Sequence, residues 1–303
     1  MPIDEQATRK LLGELIAIDS VNSTLVPRAS GELRASEHVH RFLQGHGIVA
    51  EMEEAAAHRP NVIATISPAD VPRGGRPALM IVAHIDTVGA GDMPDAFTPR
   101  VADGRMYGRG ALDIKSGVTA MCAAAIAIVR DRAPLTRPFT VAAVVDEECN
   151  SIGTQDLLRR GHAADCAIVL EPTNLQLVVA HKGYAWFEIA THGRAAHGSL
   201  PAEGRDAIRM MGRVLVALDD LEKKLAAAPA HPILGAASLH ASLVTGGQEL
   251  SSYPAECRLQ LERRMLPHET LELVETELRA ILAELAKADS EFRASLRSDP
   301  ALP

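Results

Sequence analysis

Six side chains that can bind a divalent metal ion or transfer a proton stand at or next to the ends of apolar runs or, in the case of Asp113, in a glycine-containing loop that leads into a predicted helix. They are His84, Asp86, Asp113, Glu147, Glu148 and Glu171. Imidazole nitrogen and carboxylate oxygen are ligands of Zn²⁺ and of similar ions. Two ions suit this set better than one, because four carboxylates around a single zinc would carry excess negative charge. The residue types therefore predict a metal site.

The segment "VVDEE" ends in three adjacent acids, Asp146, Glu147 and Glu148. Adjacent carboxylates repel one another and are costly to desolvate unless a cation lies among them. A dication would neutralise the cluster, and because the chain turns here the two glutamates need not face opposite ways. One of them can then bind metal while the other acts as a base toward a water molecule.

The elements that must position these groups follow from the hydrophobic pattern. Apolar runs that predict strands covered on both faces lie at residues 61–66, 78–85, 139–145 and 164–170. Helices are predicted around residues 11–16, at 31–45 and, rich in alanine, at 115–131. This alternation is typical of an α/β fold with a mostly parallel central sheet flanked by helices. Ligands bind at the carboxyl edge of such sheets, where the six side chains fall.

The pattern changes near Lys182, and a second domain is predicted from there. Strands are predicted at 184–193, 237–244, 255–264 and 291–297, and helices at 206–226 and 270–288. The order β-α-β-β-α-β is that of the split βαβ motif, with helices on one face of an antiparallel sheet. We therefore expect a metal-binding catalytic domain at 1–182 and a second domain at 183–303.

Composition limits the classes of partner. The 303 residues suit two domains, and 39 acids against 31 bases give a net charge of −8, which argues against a nucleic-acid partner. The four cysteines form no close pair, the N-terminus lacks a signal-peptide core, and no apolar stretch is long enough for a membrane span. We expect a cytoplasmic protein without nucleic-acid or membrane partners.

Five segments together resemble a known family. They are "AHIDTV", "YGRGALDIKSG", "VVDEE", "LEPT" and "GRAAHGSLPAEGRDAI". They are similar to the dizinc metallopeptidases and deacylases that include acetylornithine deacetylase, succinyl-diaminopimelate desuccinylase, aminoacylase and carboxypeptidase G. The resemblance implies a zinc peptidase domain of the phosphorylase/hydrolase-like α/β type with an inserted ferredoxin-like lid and dimerisation domain.

The resemblance also implies roles in the first domain. His84 and Glu171 would hold one zinc and Glu148 the other, with Asp113 bridging them ahead of a cis peptide bond. Asp86 would orient His84, and Glu147 would be the general base. Cobalt or manganese could replace zinc, with one or two ions per chain.

In the second domain, the resemblance implies that His197 reaches the site of a partner subunit in a homodimer and stabilises a developing oxyanion. Arg264 matches a position where the family often keeps an arginine for a substrate carboxylate. The residues alone also allow a surface histidine in a loop and an ordinary strand residue. Ser251 stands where the family's lid turn has asparagine, and its shorter hydroxyl cannot make the amide's two-sided hydrogen bonds.

The expected activity is zinc-dependent hydrolysis of an N-acyl amino acid. Alternatives are a dipeptidase or carboxypeptidase on the same centre, and a truncated, non-catalytic metal-binding homologue. A magnesium-dependent phosphoryl enzyme fits worse, because no phosphate-binding glycine motif occurs. The family's C-terminal part, with a further histidine ligand, is not recognised after His268. We therefore expect an incomplete catalytic domain with an open sheet edge or exposed apolar surface.

Overall fold

The chain forms two compact units, Met1–Gln176 and Leu177–Pro303, in a computed structural model that describes residues 3–68 and 76–298. The domain boundary proposed from the sequence, between residues 182 and 183, lies a few residues after this division. No described helix combines the length and apolarity that a bilayer crossing requires.

The first unit contains four helices and seven strands in its described residues. The helices are α1 (Glu5–Ala17), α2 (Leu33–Gly45), α3 (Lys115–Arg130) and α4 (Ile152–Arg159). The strands are β1 (Glu51–Ala56), β2 (Arg59–Ile66), β3 (Leu79–His84), β4 (Arg100–Ala102), β5 (Arg105–Tyr107), β6 (Phe139–Val144) and β7 (Cys166–Val169). Strand β1 and the β4–β5 hairpin were not predicted, because β1 is acidic and half-exposed and the hairpin strands are three residues each.

Five strands form the main sheet in the order β1-β2-β6-β3-β7. Strands β6, β3 and β7 run parallel, whereas β2 is antiparallel to β6 and β1 is antiparallel to β2. The register pairs His84 at the end of β3 with Val144 at the end of β6. The residues that follow these two strands therefore leave the sheet side by side. The α/β class with a mostly parallel sheet and flanking helices is confirmed.

Side chains of β6 alternate between two apolar layers. Val141 and Ala143, together with Val145 just after the strand, pack in the larger cluster with α1, α2 and α3, while Ala142 and Val144 pack with α4 on the opposite face. All six residues of β6 are buried, as predicted for a strand covered on both faces. This central strand carries the acids of the "VVDEE" segment at its end.

Strand β7 departs from the prediction. All four of its residues, Cys166–Val169, are exposed, although the apolar run 164–170 predicted a strand covered on both faces. It is the edge strand of the sheet, and within the described residues it pairs only with β3. An apolar run specifies a preference for burial but cannot say which neighbours supply it.

The second unit has the predicted β-α-β-β-α-β order. Its elements are β8 (Gly183–His192), α5 (Ala207–Ala227), β9 (Ser238–Gly246), β10 (Glu256–Met265), α6 (Leu271–Ala288) and β11 (Ala294–Ser298). The strands form an antiparallel sheet in the order β11-β8-β10-β9, and both helices pack on one face of it. Both helices begin at a capping side chain: Asp206 accepts from the Arg209 N–H and Thr270 from the Leu273 N–H.

Candidate metal centre

The ends of β3 and β6 are joined through the Asp86 carboxylate. Its Oδ1 accepts from the Glu147 N–H at 3.1 Å and its Oδ2 from the Glu148 N–H at 3.1 Å. Asp86 is fully buried. Burial opposes its ionisation, yet the hydrogen bond and charge of His84 hold the pKa of Asp86 below its usual value. A buried carboxylate thus fixes the backbone that presents both glutamates.

His84 lies at the centre of the candidate site. It is 2% exposed, and its Nδ1 lies 3.0 Å from the carbonyl oxygen of Asp86 and 3.4 Å from the carboxylate Oδ1. Because a carbonyl only accepts, this contact places a proton on Nδ1 and turns Nε2 toward the acids. From Nε2, the distances are 3.2 Å to Asp113 Oδ1, 3.6 Å to Glu147 Oε2 and 3.9 Å to Glu171 Oε1.

Two groups of side chains have ligand atoms close enough to share an ion. The first is His84, Glu147 and Glu171, and the second is His84, Asp113 and Glu148; in each, all the ligand atoms lie within 4.8 Å of one another. One imidazole with several carboxylates is a donor set that suits Zn²⁺ and related divalent ions. Glu147 reaches His84 as Glu171 does, so the division between ligand and base stays a prediction.

The titration behaviour of the site reflects crowding of negative charge. Burial raises the pKa of Glu148 to about 7; the positive charge of His84 opposes the rise, and Asp113, Asp86 and Glu147 add to it. Burial likewise raises the pKa of Glu171 to about 7 against the opposing charge of His84, and Glu147, Asp113 and Glu148 add to the rise. Burial lowers the pKa of His84, but the surrounding acids override it and raise that pKa to about 11. The metal-free cluster therefore holds extra protons, and a bound dication would supply that positive charge instead.

The loop before α3 holds Asp113 in place. The peptide bond Asp113-Ile114 is cis, at the position that the resemblance implied. Gly110 has φ +80°, and a Cβ there would lie 2.8 Å from Lys115 Cδ and 2.9 Å from Thr87 Cγ2, so only glycine fits. The buried Lys115 Nζ donates to the Ile18 carbonyl at 2.7 Å. Packing on both sides of the loop thus sets the direction of Asp113.

His197 belongs to the second unit, in an exposed loop. Its Nδ1 accepts from the Ser199 N–H at 3.2 Å and lies 2.8 Å from the Ser199 hydroxyl. A backbone N–H is only a donor, so in the neutral ring the proton sits on Nε2. The loop is tied to the "GGQELS" turn where Gly198 N–H donates to the Ser251 carbonyl at 2.7 Å.

Arg264 lies at the end of β10, on the second unit. Its Nε donates to Glu262 Oε1 at 2.5 Å, and its guanidinium carbon lies 5.2 Å from the centroid of the Tyr184 ring. Glu262 also accepts from the Trp186 indole N–H at 3.0 Å. Arg264 is therefore oriented by a carboxylate and an aromatic ring, while 44% of its side chain is exposed.

A model of one protein family matches most of the chain. Residues 80–297 match the model described as Peptidase family M20/M25/M40. The chain belongs to this family. The acetylornithine deacetylase of Myxococcus xanthus is a relative with 31% identity over 306 aligned positions, which cover 96% of this chain and 75% of the relative. The resemblance inferred from the motifs is confirmed.

Solved structures of the M20 family share the fold. A metallo-carboxypeptidase from Sulfolobus solfataricus superimposes with a TM-score of 0.73 at 17% identity, covering 97% of this chain and 78% of the other. A dinuclear metal-binding peptidase from Bacillus subtilis superimposes with a TM-score of 0.66 at 16% identity, covering 98% of this chain and 74% of the other. The chain thus spans about three quarters of the length of these M20 proteins.

Two residues near the site, the buried Asn22 and the mostly buried Arg59, were not singled out from the sequence. Arg59 and Asn22 both contact Asp146, the first of the three consecutive acids. The signal that could have found them was Asp146 itself. The sequence predicts a dication as the partner of all three acids, whereas Asp146 pairs with Arg59 and Asn22.

Proposed function

We propose that this M20 family chain is a metal-dependent hydrolase that cleaves the amide bond of an N-acyl amino acid. The observation that carries the proposal is the cluster of one imidazole and four carboxylates, which lie at the ends of β3, β6 and β7 and, for Asp113, in the loop before α3. The deacetylase name of the Myxococcus xanthus relative supports an acyl amino acid as the substrate class.

The proposed ligands are His84, Asp113, Glu148 and Glu171. A divalent ion bound there would supply Lewis acidity toward an amide carbonyl and make a water molecule more acidic. Glu147 would accept the proton of the attacking water and pass it to the leaving amine nitrogen. Asp86 would keep His84 Nδ1 protonated, so that Nε2 remains the donor atom for the ion.

We propose Zn²⁺ as the native ion, one or two per chain, with Co²⁺ or Mn²⁺ as substitutes. Mixed nitrogen and oxygen ligands support a transition metal over Mg²⁺. The dinuclear centre named for the Bacillus subtilis structure supports two ions.

The second unit would act in substrate binding and dimerisation. His197 is proposed to donate from Nε2 to the developing oxyanion in a homodimer, and Ser199 supports this by accounting for the tautomer. Arg264 is proposed to meet the substrate carboxylate. The exposed edge strand β9 supports association of two copies.

A peptide substrate is the second candidate. It is favoured by the fold shared with the metallo-carboxypeptidase from Sulfolobus solfataricus. Both reactions break an amide bond next to an amino acid, and the same ligands and base would serve each.

We place the protein in the cytoplasm, without nucleic-acid or membrane partners. The four cysteines are all free, three of them buried, which supports a reducing compartment.

The test is hydrolysis of a panel of N-acyl amino acids and dipeptides by the chain loaded with Zn²⁺ or Co²⁺. Glu147→Gln should lower kcat by about 10²–10⁴-fold, since it removes the proton acceptor but keeps the shape. Glu284→Gln, an exposed glutamate in the second unit, is the matched control and should leave kcat unchanged. Absence of turnover on every member, from folded and metal-loaded protein, would reject the proposal.

A further inference from the structure

Asp146 is the acid of the "VVDEE" segment that the proposed chemistry does not use. It is fully buried, and its backbone has φ +65°. Its carbonyl accepts from the Ser151 N–H at 2.6 Å, and its Oδ2 accepts from the Asn150 N–H at 3.3 Å. Asp146 thus closes the turn 146–151, which carries Glu147 and Glu148.

The cation that neutralises Asp146 is Arg59, at the start of β2. Arg59 Nη2 donates to Asp146 Oδ1 at 2.8 Å and also to Glu32 Oε1, while Nε donates to Glu32 Oε2 at 2.9 Å. Both carboxylates are fully buried, and the Arg59 side chain is 12% exposed. One planar guanidinium therefore bridges two buried acids, which a lysine cannot match in geometry.

Asn22 connects this ion pair to the metal centre. Its amide nitrogen donates to Asp86 Oδ2 at 2.7 Å and to Asp146 Oδ1 at 3.0 Å, so both of its N–H bonds are used. Its oxygen accepts from the Thr24 N–H at 2.8 Å and from Arg59 Nη2 at 3.3 Å, which fixes the orientation of the amide.

The hydrogen bonds form one continuous path. Arg59 contacts Asp146 and Asn22, Asn22 contacts Asp86, and Asp86 receives the backbone N–H groups of Glu147 and Glu148 and lies beside His84. Every link lies in the first unit. Partners that orient metal ligands from behind typically change metal affinity by about 10–100-fold when they are removed.

We propose that Arg59 is a positioning residue for the metal centre, acting through Asp146 and Asn22 on Asp86 and on the backbone of Glu147 and Glu148. The proposal rests on the proposed metal-dependent function. A purely structural ion pair between β2 and the segment before α2 would support folding alone. A positioning residue also sets the affinity of the folded protein for the ion.

The experiment measures Co²⁺ affinity by visible absorption and, separately, urea unfolding of the metal-free protein. Arg59→Lys and Asp146→Asn should each weaken Co²⁺ binding by about 10–100-fold in protein that remains folded. Asparagine tolerates the positive φ at position 146, and the amide retains an acceptor for Arg59. The control is Arg137→Gln, which removes an exposed ion pair with Asp165 and should leave the affinity unchanged.

A second variant tests the same path if the Arg59 substitution prevents folding. Removing Arg59 leaves two buried carboxylates without their cation, which can prevent folding. Asn22→Ala keeps the ion pairs of Arg59 with Glu32 and Asp146 but removes every hydrogen bond of the Asn22 amide, including the one to Asp86. It should also weaken Co²⁺ binding by about tenfold or more.

The outcomes are distinct. Wild-type affinity in folded Asn22→Ala and Asp146→Asn protein overturns the positioning role while the metal-dependent function stands. Failure of the wild-type chain itself to bind Co²⁺ or Zn²⁺ overturns the proposed function, and with it this inference.

Discussion

The carboxylates crowded around His84 make the metal-free site bind protons tightly. The pKa values of Glu148 and Glu171 are raised from 4.5 to about 7, mainly by burial and with their acidic neighbours adding to the rise. The folded state therefore holds these protons more tightly than the unfolded chain does. A divalent ion must displace them, so its affinity rises with pH.

We expect the metal-free protein to lose stability as pH rises from about 4.5 through 7, because a raised folded-state pKa favours folding only while the proton is bound. Urea unfolding midpoints in the presence of a chelator, measured at pH values across this window, test the expectation. In Glu171→Gln the dependence should be shallower. A wild-type midpoint that stays constant over this pH window would contradict the raised pKa values of Glu148 and Glu171.

The tautomer of His197 gives a second prediction for a single residue. Ser199→Ala removes the hydroxyl but keeps the backbone N–H that donates to Nδ1. We expect ¹⁵N NMR shifts to report the Nε2–H tautomer in the neutral ring of both proteins, with kcat lowered by less than about tenfold in the variant. An Nδ1–H tautomer in the wild-type protein would exclude the proposed donor role.

Among the elements, helix α4 packs unusually close to the end of β6. A Cβ on Gly153 would lie 2.5 Å from the Val145 nitrogen, the Val145 oxygen and Asn61 Oδ1. Asn61 holds this junction by donating to the Gly153 carbonyl at 2.9 Å and accepting from the Val145 N–H at 3.2 Å. The glycine lets α4 hold the strand end that precedes the acids.

Gly153→Ala should destabilise the protein by about 1–3 kcal/mol, because the backbone atoms it meets cannot move aside cheaply. Gly212 in α5 is the matched control, since nothing lies within 4 Å of a Cβ built there. Gly212→Ala should stabilise by about 0.5–1 kcal/mol through helix propensity. Equal effects in chemical denaturation would show that close packing at α4 is not the cause.

The elements also show what the sequence could predict. The buried strand β6, helix α3 and the order of the second unit follow from periodicity and from caps such as Thr270. The exposure of β7 and the antiparallel pairing of β2 depend on neighbours distant in sequence, which periodicity does not encode. Likewise the acids near His84 were predicted, but the pairing of Asp146 with Arg59 was not, because 87 positions separate them.

At the scale of the whole molecule, metal binding and folding are linked, because the proposed ligands come from segments that only the folded chain brings together. The candidate ligands lie in the first unit, whereas His197 and Arg264 lie in the second.

Zn²⁺ should raise the thermal midpoint of the chain, since a ligand at about 100 times its Kd stabilises the folded state by about 2.7 kcal/mol. His84→Ala, which removes the nitrogen shared by both candidate ligand groups, should abolish the increase. Circular dichroism with and without the ion provides the measurement. An equal increase in the variant would place the bound ion elsewhere.

The chain has one tryptophan, Trp186, and its indole donates to the same carboxylate that orients Arg264. Any molecule that draws the Arg264 guanidinium away from Glu262 changes the electrostatic field at the indole ring. Under the proposed role of Arg264, the emission of this single tryptophan would report anion binding at Arg264, free of signal from any other tryptophan. Candidate substrates could then be ranked by fluorescence without labels and without waiting for turnover.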